Sequence, residues 1–393
     1  MFLLLLVACT SSDPIGNRVN QWPDEPGFVD LDTGEVAEVE PETIGGSVNF
    51  TTTTTDVDVV FDPILTLDLD RDGDDDVLGQ IYGDGHNPYA ILISDGNGGV
   101  SLQRPDWLNN IRDYAREAVG STDYVIQRIE AADIDGDRLS DLVVTVLYQN
   151  NEMVVLIVLD GETFDGGYFL TQYPFGAPYY QVQLLEDFDN DGEAEQLWFG
   201  GQQESLWLSG SDESLIKYDA AASHAFSKGV VIDMDRDGDR DVVVLHNGGF
   251  GYTQFSAFFR TGDGWTWQGH MEFPYSIDFA ADDDEILLYD SASIYRMLPS
   301  GETETVLTLD DAIQPTAFGD FNNDGFLDVL ASQTGARSYF FAGTRDGALS
   351  RMDLVGWDGQ RPATTGDFNQ DGRLDLLRIY DNDVIISLAE PLD

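Results

Sequence analysis

A nine-residue acidic pattern returns along this chain at near-regular intervals, and it limits the possible folds more than any other feature. It reads Asp68-x-Asp70-x-Asp72-Gly73-x-x-Asp76, Asp133-x-Asp135-x-Asp137-x-x-x-Asp141 and Asp187-x-Asp189-x-Asp191-Gly192-x-x-Glu195. Three further copies are Asp233-x-Asp235-x-Asp237-Gly238-x-x-Asp241, Asp320-x-Asn322-x-Asp324-Gly325-x-x-Asp328 and Asp367-x-Asn369-x-Asp371-Gly372-x-x-Asp375. With a degenerate copy at Asp278, the spacings are 65, 54, 46, 45, 42 and 47 residues. Each copy follows a short apolar strand and precedes a second strand, often beginning Asp-Leu-Val, and two more short strands come after. Four short strands with a period in the forties is what a propeller blade needs, because each blade buries its faces only against its neighbours.

The expected fold is therefore all-β: a seven-bladed β-propeller of four-stranded antiparallel blades spanning residues 47–393. Its last unit supplies strands near Ala363–Asp367, Leu374–Tyr380 and Val384–Leu388, one short of a blade. The β-prone stretch Val48–Phe61, with five consecutive threonines from Thr51, is expected to serve as the missing outer strand and close the ring. A helical insertion explains the long first interval. Pro105 and Asp106 open it, apolar residues fall at 107, 108, 111, 115, 118 and 119, and Gly120 ends it.

Oxygen ligands at loop positions 1, 3, 5 and 9 with a turn glycine at 6 suit a hard cation that takes six to eight oxygens, and calcium fits best. Magnesium prefers a tighter octahedron with retained water, and transition metals recruit His or Cys. An EF-hand would need an acid at position 12, where this chain has Gly79, Val144, Trp198, Val244, Ala331 or Arg378. The loops resemble the FG-GAP, or VCBS-type, repeat of integrin α-subunit propellers and bacterial surface proteins. That resemblance covers about Val48 to Asp393. It implies about six structural calcium ions on the residues quoted, each joined by a backbone carbonyl from position 7. The second loop departs from the pattern, with Arg138 in place of the turn glycine and Gly136 two places earlier. The copy at Asp278 lacks a position 3 ligand and is expected to hold no ion.

Outside the repeats, residues 1–8 form an apolar run ending Leu6-Val7-Ala8 before Cys9, the chain's single cysteine. This resembles a bacterial lipobox, which implies a signal peptide over residues 1–8 and a lipid on Cys9. Residues 9–46, rich in Pro, Gly, Asp and Glu, are expected to be a flexible acidic linker. The expected location is the bacterial cell envelope, as an outer-membrane lipoprotein touching the membrane through its anchor alone. Asp and Glu total 73 against 19 Lys and Arg, a net charge of −54, which disfavours nucleic acid as a partner. The expected protein is a monomer.

Propeller geometry puts the metal loops on one face and the helix on the other. A candidate ligand site on the second face takes in Tyr179, Tyr180, His224, Tyr252, His270, Tyr275 and Trp357, and blade packing is the competing role for each. The leading functional expectation is a non-enzymatic module binding a glycan or protein at the cell surface. FG-GAP-like propellers also occur in polysaccharide lyases and phospholipases, and a structural spacer is a third reading. His86, His224, His246 and His270 fall in no metal-ligand motif, and the chain has neither a Gly-x-Ser-x-Gly elbow nor a phosphate loop.

Overall fold

In the computed structural model the described residues are 47–82, 88–148, 153–164, 168–170, 180–188, 194–200, 205–208, 216–217, 225–248, 252–261, 264–273, 277–282, 285–290, 293–298, 300, 302–309, 313–333, 337–345 and 347–391. The chain divides into units Met1–Ala37 and Glu38–Asp393, the first lying wholly outside these residues. The predicted signal peptide, Cys9 and the linker lie outside them too.

Among the described residues the second unit is all-β with one short helix, and its sheets form a β-propeller-like arrangement. After β1 (Ser47–Asp56), the first four-stranded sheet is β2 (Phe61–Leu67), β3 (Asp76–Ile81), β4 (Tyr89–Ser94) and β5 (Val100–Gln103). Helix α1 (Trp107–Val119) follows, then β6 (Tyr124–Ala132), β7 (Asp141–Tyr148), β8 (Met153–Leu159) and β9 (Tyr168–Leu170). A third sheet holds β10 (Tyr180–Glu186), β11 (Glu195–Gly200), β12 (Ser205–Leu208) and β13 (Ile216–Lys217). In the fourth are β14 (Ala225–Ile232), β15 (Asp241–Gly248), β16 (Tyr252–Thr261) and β17 (Gly264–Phe273). The fifth is β18 (Asp278–Asp282), β19 (Glu285–Tyr289), β20 (Ser293–Met297) and β21 (Thr303–Thr308). The remaining strands are β22 (Ile313–Gly319), β23 (Asp328–Gln333), β24 (Arg337–Gly343), β25 (Leu349–Val355), β26 (Thr364–Gly366), β27 (Asp375–Tyr380) and β28 (Asp383–Ala389). They join β1 in one eight-stranded sheet of order β22-β23-β24-β25-β1-β28-β27-β26.

β1 changes partner along its length. Ser47–Asn49 pair in parallel with Asp353–Val355, and Phe50–Asp56 pair antiparallel with Asp383–Ala389. The strand ends at Asp56, and Phe61, expected in the same strand, opens β2 instead.

Because side chains alternate across a strand, the second strands β3, β7, β19, β23 and β27 each feed two cores. Leu78 packs with Leu142 and Val144 of the next sheet, whereas its neighbour Val77 packs with Leu377, Val384 and Ile386 of the last strands. Leu330 and Leu376 share one core, while Leu377 enters another. Burying both faces explains the near-continuous apolar runs of these strands; each such side chain contributes roughly 1.5–3 kcal/mol. Helix α1 lies on the core between the first two sheets through Leu108, Ile111 and Ala115. Gly120 ends it in a left-handed conformation, its N–H donating to the Arg116 carbonyl, while Asp106 makes no side-chain cap.

Candidate metal centres

Five acidic loops can be followed through the described residues, and one hydrogen-bond scheme recurs in all five. The position 1 carboxylate accepts from the position 6 N–H: Asp68 from Gly73, Asp133 from Arg138, Asp233 from Gly238, Asp320 from Gly325 and Asp367 from Gly372. Position 5 accepts from the position 7 N–H, as Asp137 does from Leu139 at 2.8 Å and Asp324 from Phe326 at 3.0 Å. These are Asx-type turns in which the side chain takes over backbone pairing.

Two positions in each loop are left-handed. Position 6 is Gly73, Arg138, Gly238, Gly325 or Gly372; position 4 is Arg71, Gly136, Arg236, Asn323 or Gln370. Gly136 and Arg138 therefore take up the two left-handed positions with the glycine moved from the second to the first. The departure noted in the sequence leaves the backbone path unchanged.

Position 9 is the most deeply buried acid. Asp76, Asp141, Asp241, Asp328 and Asp375 are at most 1% exposed. One oxygen of each accepts the position 2 N–H (Leu69, Ile134, Met234, Phe321 or Phe368) at 2.9–3.0 Å. The other oxygen accepts the N–H of Ser94, Gly161, Arg260, Gly343 or Ala389 from the end of the third strand or just beyond it. Position 2 side chains are themselves core residues. The acid thus ties the loop to two strands, a role that spacing alone had not revealed.

Carboxylates of positions 1, 3 and 9 come together within 4.8 Å in Asp68/Asp70/Asp76, Asp133/Asp135/Asp141 and Asp233/Asp235/Asp241. The position 5 acids Asp72, Asp137 and Asp237 stand outside these triads and are turned to their position 7 N–H groups. Burial, with neighbouring charge added to it, leaves Asp70, Asp76, Asp141, Asp235, Asp241, Asp324, Asp328 and Asp375 harder to ionise. Asp328 is pushed up to about 8, chiefly by desolvation and against the N–H bond from Gly343. Desolvation likewise lifts Asp375 to about 7, and Asp76 and Asp241 to about 6. Like charges 4 Å apart cost about 4 kcal/mol at an effective dielectric near 20, so such triads favour a bound cation.

The donor set suits a hard divalent ion, being all oxygen. In the Asp320 loop the Asn322 side chain is buried, with its amide Nδ2 3.4 Å from Asp328 and its Oδ1 without a hydrogen-bond partner. A buried carbonyl oxygen left over beside two acids is what an absent cation would use. In the Asp367 loop, Asn369 is neutral and Arg373 pairs with Asp371 at 2.9 Å, so less negative charge faces the site. Of the Asp187 loop, residues 189–193 lie outside the described residues, as does the Glu195 side chain. At the degenerate copy, the ladder runs from Asp278↔Tyr289 to Asp282↔Glu285, so a tight hairpin replaces the loop. Asp278 pairs with Lys228 at 3.2 Å.

Adjacent loops are joined through their backbones. The position 8 N–H of one loop donates to the position 1 carbonyl of the preceding loop: Ala194 to Asp133 at 2.7 Å and Leu374 to Asp320 at 3.1 Å. The same link joins Asp75 of the first loop to Asp367 of the last at 2.8 Å, and the Asp75 carboxylate accepts the Asp367 N–H in return.

The five acidic loops join first to second strands, β2 to β3, β6 to β7, β14 to β15, β22 to β23 and β26 to β27. Helix α1 and the connection 356–363, which carries Trp357, each join a fourth strand to the next first strand, so in an antiparallel meander they leave from the opposite end. Trp357 is half-buried and packs on the core of Phe50, Phe340 and Met352. Tyr180, Tyr252 and His270 lie in β10, β16 and β17, and their side chains fall outside the described set; Tyr179, His224 and Tyr275 lie outside the described residues altogether.

Residues 320–378 match the family model of the FG-GAP-like repeat. No curated protein matches the chain. Among solved structures, BBS1N in complex with ARL6DN is similar at 10% identity over 86% of this chain and 96% of that one, with a TM-score of 0.38. AofleA from Arthrobotrys oligospora is similar at 11% identity over 86% and 92%, with a TM-score of 0.34. An oligogalacturonate lyase in complex with manganese is similar at 9% identity over 68% and 97%, with a TM-score of 0.33.

Proposed function

We propose that this chain is a calcium-stabilised, seven-bladed β-propeller serving as a non-enzymatic binding module for a glycan or protein at a bacterial cell envelope. The observation that carries the reading is the repeated oxygen-only loop, with its triads of acids and its link to the loop before. Calcium would be held by positions 1, 3, 5 and 9 of six loops, supplying the positive charge these carboxylates lack. The blades would be the five four-stranded sheets and the two halves of the eight-stranded sheet, with β1 completing the seventh. Pairing of β1 with β28, the core shared by first and last sheets, and the Asp75–Asp367 link all support a closed ring. A ring whose sites are filled by structural ions leaves its other surfaces to work by contact, which favours binding over chemistry. The test is a glycan and protein-ligand array probed with the full chain, with and without calcium. Calcium-dependent capture of at least one ligand is expected; no capture in either condition would overturn the binding role.

The same reading makes residues 1–8 a signal peptide, Cys9 the lipid attachment point and residues 9–46 a spacer that holds a monomeric propeller off the outer membrane. Cys9→Ser should move the protein from the membrane fraction to the soluble one. Sedimentation of the Ser variant with membranes in high salt would exclude the anchor.

A further inference from the structure

A cavity of about 180 Å³ lies where β1 leaves β25 and turns to β28. Thr52 and Ser387, directly opposite each other across the β1–β28 ladder with their hydroxyls 3.0 Å apart, belong to its floor, as does Arg378 of β27. Trp357, Asp358 and Gln360 of the connection 356–363 form its wall. Gly356 makes that wall possible. It is left-handed at φ +85°, and a Cβ there would fall 1.9 Å from the Phe50 carbonyl oxygen, so any side chain would drive the connection off β1. The wall is thus set by the backbone.

The lining is unlike the rest of this strongly acidic chain. One cation faces one anion: Arg378 Nη1 lies 2.6 Å from both oxygens of Asp358. The remaining polar groups named are hydroxyls and an amide, so the cavity carries no net charge within a chain of net charge −54. An aromatic wall beside a neutral donor–acceptor pair suits a ligand with one apolar face and adjacent hydroxyls, each able to donate to a carboxylate and accept from a guanidinium. At about 30 Å³ per water, the volume matches about six waters, which is room for one small ring and too little for an extended chain.

We propose that this cavity binds a single pyranose unit of an uncharged glycan, its ring face against Trp357 and two adjacent hydroxyls bridging Arg378 and Asp358. This rests on the reading of the propeller as a binding module and gives it a site and a ligand class. An anionic sugar is disfavoured because it would compete with Asp358 for the guanidinium and approach a surface of like charge.

The experiment is ligand-observed saturation-transfer NMR on the full calcium-loaded chain. Its probes are the methyl glycosides of glucose, galactose, mannose, fucose and glucuronic acid. At least one neutral glycoside is expected to receive transfer. Asp358→Asn and Arg378→Gln should each weaken it by about tenfold, the loss that accompanies one charged hydrogen bond. Trp357→Phe should retain binding that Trp357→Ala loses. Asp358 is more than half exposed, so its variant is expected to fold, and a melting curve on each variant separates lost binding from lost structure. No transfer to any glycoside, or preference for the glucuronoside, would overturn the proposal. Neutral-sugar binding that survives both Asp358→Asn and Arg378→Gln would overturn the site while leaving the binding-module reading intact.

Discussion

Asp328 illustrates how a side chain that looks like a metal ligand also builds the fold. Buried and fixed by the N–H groups of Phe321 and Gly343, it keeps the strand after the loop in register with the strand beyond, and desolvation raises its ionisation to about 8. The sign of the consequence is set by linkage. A carboxyl with a folded pKa above its unfolded value of 3.8 favours the protonated folded state. Its stabilising contribution is complete below the unfolded value and is lost as pH rises through about 8. Asp375, Asp76 and Asp241 act in the same direction between their unfolded value and about 6–7. Without calcium, the melting temperature should therefore rise as pH falls from 8 towards 5. With calcium the slope should reverse, because protons then compete with the ion for the same oxygens. Melting curves across this range, repeated with Asp328→Asn, are the check. The variant should flatten the calcium-free slope, which relief of general charge repulsion alone would leave unchanged.

At the scale of one element, each loop works because two left-handed positions and several side-chain-to-backbone bonds fold nine residues with little help from outside. Glycine is preferred at position 6 since a Cβ there is strained, yet Arg138 adopts φ 71° in the second loop. Arg138→Gly should stabilise the protein by about 0.5–1 kcal/mol, the strain relieved being larger than the chain entropy added to the unfolded state. The converse is Gly325→Ala, at φ +82° with nothing within 4 Å of the added methyl, so its cost of about 1 kcal/mol is conformational alone. Urea unfolding of both variants at fixed calcium measures the pair. Destabilisation by Arg138→Gly would mean that the arginine side chain makes a contact worth more than the strain.

Across the whole molecule, the loops form a chain of their own. The position 8 N–H groups of Ala194 and Leu374 reach back to the loop before, and the link from Asp75 to Asp367 joins the last repeat to the first. Ordering one loop therefore orders part of the next site, and calcium should load cooperatively. Each site held a hundredfold above its Kd adds about 2.7 kcal/mol by mass action, so six add about 16. At about 2 cal/mol/K per residue, that moves the midpoint by about 20 °C. Calorimetry in excess chelator, in calcium and in sodium of equal ionic strength tests this, and full recovery in sodium would reduce the loops to solvated turns. The loop from Asp68, acidic at every ligand position, should bind more tightly than those from Asp320 and Asp367. Deleting residues 1–56 should abolish the single transition, because β28 would lose its partner along Phe50–Asp56.

What could be read directly from the residues was what nine consecutive positions encode. Alternating oxygens, glycine at a left-handed turn and an acid opening the next strand specify the loop locally, and their spacing specifies the repeating strands. Helix α1 was legible for the same reason, its apolar period and its terminal Gly120 being local signals. The β-prone stretch beginning at Val48 was legible from its threonines; its end at Asp56 and its partner β28 depended on pairing between residues far apart. Tertiary structure decided what depends on residues far apart. The position 9 acid gains its role from N–H groups in a third strand, and the loop-to-loop links join residues of different repeats. The cavity is assembled from Thr52, Trp357 and Arg378, brought together only when β1 crosses from β25 to β28. Trp357 could be singled out as an aromatic of the second face, but the pairing of Arg378 with Asp358 at the cavity depends on the fold bringing β27 against the connection 356–363.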